Sequence, residues 1–281
     1  MSVKLIKKTI SMVFTSDPAQ GARQIGTNPN SYDAFQVQFD EPIAIPKNAI
    51  ECTLEVDSTV IWNNEANVVA GVNNTLRVTG PDTSDVVTVF DIVIPEGSYS
   101  VSEFNQSVQT LLANQGAKIT PDPIISITPD EATQKIDIRL NYITSVVDFT
   151  QPNSCYNLLG FLSTSVLGPP TISGESILAP NEANFNVINY YLIASDLVSQ
   201  GLRFNNTYRQ IINQTEISVR PNSQIVSTPY NPVIITCPEL VGQVRSNVSF
   251  RLLKDDLTPA NTRGEYYSLR MTINYMIPTK F

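Results

Sequence analysis

Ile94-Pro95-Glu96-Gly97-Ser98-Tyr99-Ser100-Val101-Ser102-Glu103-Phe104-Asn105 is the stretch whose reading decides the fold. Pro95 ends a strand-like run from Val86 to Ile94, and Glu96-Gly97-Ser98 supplies turn residues. Ser100, followed three residues later by Glu103, is a capping box: each side chain accepts a hydrogen bond from the other residue's orphan backbone N–H. Tyr99 and Phe104 stand at the two positions of a hydrophobic staple. Val101, Phe104, Val108, Leu111 and Leu112 keep helical spacing, and Gly116 is a natural stop. A hairpin-like stretch follows, and Asn157-Leu158-Leu159-Gly160-Phe161 closes the segment. The pattern predicts one helix in a chain that otherwise reads as strands.

Outward from this helix, period-2 alternation predicts eight main strands. They lie around Phe35/Val37/Phe39, Ile50 to Val56, Leu76/Val78, Val87 to Ile94, Asn186 to Ala194, Ile217/Val219, Val248/Phe250/Leu252 and Tyr267 to Tyr275. The Asn186 to Ala194 run (with Val187, Ile188, Tyr190, Tyr191, Leu192 and Ile193) is apolar on both faces, as a central strand is. Four strands precede the helix and four follow it. Ile136/Ile138/Leu140 and Val146 to Phe149 add two strands in between, and residues 165–184, with Gly168-Pro169-Pro170, read as an irregular return loop. One apolar face per strand and turns built on 19 prolines against 12 glycines point to two packed sheets. The expected fold is all-β: an eight-stranded jelly-roll β-sandwich with an inserted small α+β subdomain. The expected division is a discontinuous sandwich of residues 1–94 and 181–281, with residues 95–180 forming the insertion and its return loop.

Composition narrows the function. The chain has 281 residues and no histidine, which excludes Ser-His-Asp and Cys-His nucleophilic sites, histidine acid–base catalysis and histidine-ligated metals. Glu51, Glu55 and Asp57 fall on the polar face of a strand and Asp255-Asp256 in a turn, so the carboxylates do not pair as glycoside hydrolysis requires. Pro81-Asp82-Thr83-Ser84-Asp85 and Pro129-Asp130-Glu131-Ala132-Thr133 are oxygen-rich enough for a cation, but Asp, Ser and Thr serve equally as turn formers. No catalytic, cofactor-binding or metal-ligating residue is expected.

A net charge of −8 argues against specific nucleic-acid binding. Lys4, Lys7 and Lys8 are the exception, readable as a basic arm or as an ordinary solvated tail before the first strand. Leu5 to Phe14 is interrupted by Lys7, Lys8 and Ser11, so no signal peptide is expected, and no run approaches a membrane span. Cys52, Cys155 and Cys237 match neither a zinc spacing nor a disulfide framework; Cys52 lies on the apolar face of a strand, which predicts a buried free thiol there, and the set favours assembly in a reducing compartment. The sequons at Asn73, Asn105, Asn205, Asn213 and Asn247 are expected to be unmodified, with Asn105 in the helix and Asn247 opening a strand. Trp62, the only tryptophan, follows a strand edge and suits a core or interface position better than an exposed sugar platform. Charged residues make up only 16% of the chain, and tyrosines concentrate in its second half, a balance suited to lateral contacts.

The run from Ile94 to Asn105, its helix, the hairpin after Ile124 and Asn157-Leu158-Leu159-Gly160-Phe161 resemble a segment of the jelly-roll penton, the vertex capsid protein of virophages and polinton-like double-stranded DNA viruses. Asn189-Tyr190-Tyr191-Leu192 to Asp196, the loop Thr228-Pro229-Tyr230-Asn231-Pro232 and the final strands ending in Met276-Ile277-Pro278 are similar to the same family. The likeness extends over most of the chain as a pattern, and is sharp at residues 92–116 and 157–161. It implies a homo-pentamer at the icosahedral five-fold vertex and a place in the virion, assembled in the host cytoplasm. It also implies major capsid protein capsomers as partners, with minor capsid proteins or a host receptor as further ones. No catalytic motif comes with it. Two other readings compete: a double-jelly-roll major capsid subunit, which would form trimers, and a carbohydrate- or receptor-binding β-sandwich.

Overall fold

A computed structural model describes residues 3–186 and 188–280. The chain enters on β1 (Val3–Thr15), a two-residue β2 (Arg23–Gln24), β3 (Ala34–Ala44) and β4 (Ile50–Asn63). Then come β5 (Thr75–Pro81), β6 (Val87–Val93), the helix α1 (Val101–Asn114), β7 (Ile125–Asp130), β8 (Lys135–Leu140), β9 (Val146–Asp148), β10 (Val166–Leu167) and β11 (Glu175–Leu178). It continues through β12 (Tyr190–Ser195), the small hairpin β13 (Arg203–Phe204) and β14 (Thr207–Tyr208), β15 (Ile211–Glu216), β16 (Ser223–Ser227) and β17 (Ile235–Thr236). It ends on β18 (Val244–Lys254) and β19 (Ser268–Lys280). Two compact units result, residues 1–65 with 188–281, and residues 66–187.

In the first unit, one sheet runs β1-β19-β4-β16, with β17 on the same side of β4 as an interrupted continuation of β16. The other runs β15-β12-β18-β3, with β2 at its margin. Every pairing is antiparallel. Taken along the chain, the eight strands alternate between the sheets except for the hairpin β12–β15, which stays in one. That connectivity is a jelly roll. Core-facing positions alternate along each strand because the pleat does, and the two inner faces interdigitate. Phe14 of β1 meets Phe250 of β18 at 4.8 Å between ring centroids, and Phe35 of β3 lies 5.3 Å from Phe250. Tyr267 stands edge-on to Phe35 and donates its hydroxyl to the Asp33 carbonyl at 3.2 Å, so its polar end is satisfied in the core. Thr59 and Thr215, both buried, hydrogen-bond at 3.0 Å between β4 and β15.

The long connection leaves this unit after Glu65 and returns at Ile188. Lys254 lies 3.9 Å from the Glu65 carboxylate and pairs in the ladder with Tyr191 of β12, the strand that follows the return.

The second unit packs α1 against a four-stranded sheet, β10-β9-β5-β6, and a three-stranded one, β11-β8-β7. The capping box is present: Ser100 Oγ accepts from Glu103 N at 3.3 Å, and Glu103 Oε2 accepts from Ser100 N at 2.8 Å. Tyr99 stands edge-on to Phe104 at 6.2 Å, as the staple requires. Gly116, at φ +85°, ends the helix in a conformation that costs other residues more. Phe104, Val108 and Leu112 form the buried face. In the Asn157–Phe161 turn, Gly160 has φ +78° and accepts the Asn181 N–H at 3.1 Å. A Cβ there would collide with the Asn181 carbonyl oxygen, so glycine is dictated by close backbone approach.

The strand count of eight holds for the sandwich, but its membership differs from the sequence expectation. The strands around Leu76/Val78 and Val87 to Ile94 are β5 and β6, which pair with each other and with β9 inside the inserted unit. The inserted unit therefore begins at residue 66, not 95, and closes at residue 187, not 180. The sandwich instead gains β1, whose alternation is masked by Lys4, Lys7 and Lys8, and β16–β17, which are short and broken by a loop. Ile217 and Val219 follow β15 rather than forming a strand. The 165–184 loop contains β10 and β11. Of the Asn186 to Ala194 run, Val187 lies outside the described residues.

Candidate assembly surfaces

The carboxylates and turns that might have carried chemistry are occupied structurally. Asp57 accepts the Thr272 hydroxyl at 2.7 Å and faces Arg270 at 3.7 Å, while Glu55 accepts the Asn274 amide at 2.9 Å, both on the outer face of β4–β19. Asp255 accepts from Asn189 N and Asp256 from Thr258 N, each at 2.9 Å. In the two oxygen-rich turns, Asp82 Oδ1 accepts from Ser84 N and Val86 N at 2.8 and 2.9 Å, and Asp130 Oδ1 from Ala132 N at 3.0 Å. These are side-chain-capped turns. Among the described residues no group of three or more Cys, Asp or Glu side chains is placed to hold a metal.

The three cysteines are free, with Cys52 3% exposed and Cys155 and Cys237 fully buried. Burial pushes their thiols up, Cys52 to about 11 and Cys155 and Cys237 to about 12. The thiolate is the reactive form, so none is poised to react at neutral pH. A chromogenic disulfide reagent is expected to titrate no thiol in the native protein and all three after denaturation. Rapid native labelling at any one would contradict this packing. Asn105 likewise serves the fold, its Oδ1 accepting from Ile127 N at 3.0 Å.

What remains is surface. Tyr191 and Tyr267 are core, whereas Tyr208, Tyr230 and Tyr266 are exposed. Trp62 lies within β4, half-buried and opposite Gln224 of β16. The margin formed by β16, its loop and β17 carries Val226, Tyr230, Val233 and Ile234, of which Tyr230 is 98% exposed. Residues 221–238 contain no charged side chain. Sequence reasoning overlooked this margin as a surface, although the charge-free run was its visible signal. In the inserted unit, β6 is an outer strand that turns Val87, Val89 and Val93 to solvent. Exposed, charge-depleted patches with aromatic and branched residues are the usual composition of interface centres. Lys4, Lys7 and Lys8 are not a tail before the first strand: they belong to β1, exposed at its start.

The fold is a jelly roll with an α+β insertion and exposed apolar strand margins. No family model matches the chain, and neither does any curated protein. Among solved structures, the mavirus penton protein is similar, with 12% identity and a TM-score of 0.47 over 95% of this chain and 99% of that one. A cryo-EM structure of the Sputnik virophage includes a chain with 14% identity and a TM-score of 0.42, over 94% of this chain and 97% of that one.

Proposed function

We propose that this chain is a non-enzymatic viral capsid protein that forms five-membered rings at the icosahedral vertex and contacts hexon-like major capsid capsomers. A jelly roll alone fixes no function. The observation that carries the reading is the site of the insertion together with its content. The β4–β12 connection of a single jelly roll is expanded into an α+β unit, and the penton-like residues (92–116 and 157–161) supply much of that unit's core, with Ile94, Phe104, Leu112, Leu159 and Phe161 all buried. A cyclic ring needs two different patches on each copy, and the uncharged β16–β17 margin suits one of them. The proposed location is the virion, assembled in the host cytoplasm, with minor capsid proteins or a receptor as further partners.

The major-capsid reading fits less well. It needs a second eight-stranded roll, whereas the inserted unit has four- and three-stranded sheets around a helix. Trp62, the residue a sugar-binding reading would use, is half-buried in a strand. Native mass spectrometry separates the three. Five times the 31.0 kDa chain mass is expected for the vertex protein. Three times that mass would favour a major capsid subunit, and a single-chain mass with a reproducible glycan-array hit would favour the binding module.

A further inference from the structure

β1 is the outer strand of its sheet. It pairs with β19 along all thirteen residues without a register shift, and no described strand covers its other side. β4 pairs with β19 only as far as Met276, so residues 3–6 and 277–280 run on past it as a two-stranded ribbon. Along this edge Lys4, Leu5, Ile6, Lys7 and Lys8 are exposed, and Val13 is 73% exposed. β1 has three lysines and no carboxylate, in a chain with 26 acidic and 18 basic residues.

We propose that the free edge of β1 is a docking edge for an extended segment of a different protein, in which a pair of apolar residues adjoins a pair of carboxylates, added to the sheet as a further strand. Strand addition gives affinity through main-chain hydrogen bonds and selectivity through alternate side chains. Here successive positions, one on each face of the strand, ask for apolar contact at Leu5 and Ile6 and for negative charge at Lys7 and Lys8. The bland alternative is that the lysines only guard the edge against aggregation. Lysines are one such guard, but short length, bulges and proline are the others, and this edge is long, unshifted and free of proline. A nucleic-acid backbone or a lipid headgroup would meet the lysines but leave the row of main-chain donors and acceptors to water. A second copy of this chain is a poor occupant. Its own acidic, alternating strand β4 is paired on both sides. Its outer strand β6 has its carboxylates already matched, Asp91 to Arg77 at 2.6 and 2.9 Å and the preceding Asp85 to Lys118.

The inference is independent of copy number and is tested on the full chain in whatever assembly it forms. The probe is a fluorescent peptide in which pairs of valines alternate with pairs of glutamates, followed by anisotropy. Saturable binding is expected, weakened about tenfold in the Lys7→Glu/Lys8→Glu variant, since two cross-strand pairs change sign. The same peptide N-methylated at alternate backbone positions is expected not to bind wild type. That comparison stands even if the variant folds poorly. Equal binding of the N-methylated peptide would overturn the proposal, as would binding unchanged in a folded variant. So would lysine-dependent binding that is tighter for a short DNA duplex or for phosphatidylserine vesicles. A changed copy number in the variant would assign the edge to a second copy instead. Assembly mass measured on the same samples reports separately on the vertex reading.

Discussion

Phe250→Ala is expected to destabilise the sandwich by about 3–5 kcal/mol, the range for truncating a buried phenylalanine. Phe250 is fully buried on β18, the strand between β12 and β3, and its ring touches Phe14 across the sandwich and Phe35 on the neighbouring strand. Alanine removes the transfer free energy of the ring and leaves a cavity that two sheets fixed by their ladders collapse poorly around. Against a total stability of about 5–15 kcal/mol, that loss takes a large share. Urea unfolding is expected to show a lower midpoint with an unchanged slope. Phe250→Leu keeps most of the volume and is expected to lose much less. A loss below about 1 kcal/mol for Phe250→Ala would mean that this ring does not join the sheets.

Phe104→Ala is expected to have an effect of similar size in the inserted unit, again about 3–5 kcal/mol. Phe104 is fully buried on α1, edge-on to Tyr99 and, at 5.7 Å, to Phe185. Ser100→Ala, which removes the cap, is expected to cost only about 1 kcal/mol. The comparison separates local encoding from packing: the capping box sets where the helix starts, and the buried face keeps it folded. Hydrogen exchange at the α1 amides is the readout. Markedly faster exchange is expected in Phe104→Ala and a modest change near the N-terminus in Ser100→Ala. The reverse order would place the stability of α1 in its cap.

The helix was legible because all its signals were local: a cap, a staple, a 3.6-residue period and a stop lie within residues 99–116. The long central strands β4, β18 and β19 were equally readable from clean alternation. Assignment of strands to units was not. β5 and β6 alternate as cleanly as sandwich strands, and only their ladder to β9 puts them in the insertion. β1 was obscured because its alternating core row passes from Phe14, Met12 and Ile10 into lysines where the core ends. β16–β17 were missed because a sheet margin needs few apolar residues to be held. The surfaces were the least legible of all. Exposure of Tyr230 against burial of Tyr191 and Tyr267 is decided by pairings distant in sequence, which residue type alone does not carry.

The most direct measurement is electron microscopy of the purified protein, with class averages computed without imposed symmetry. Rings of five are expected. Three-fold particles, or isolated subunits at concentrations where capsid proteins assemble, would contradict a vertex role.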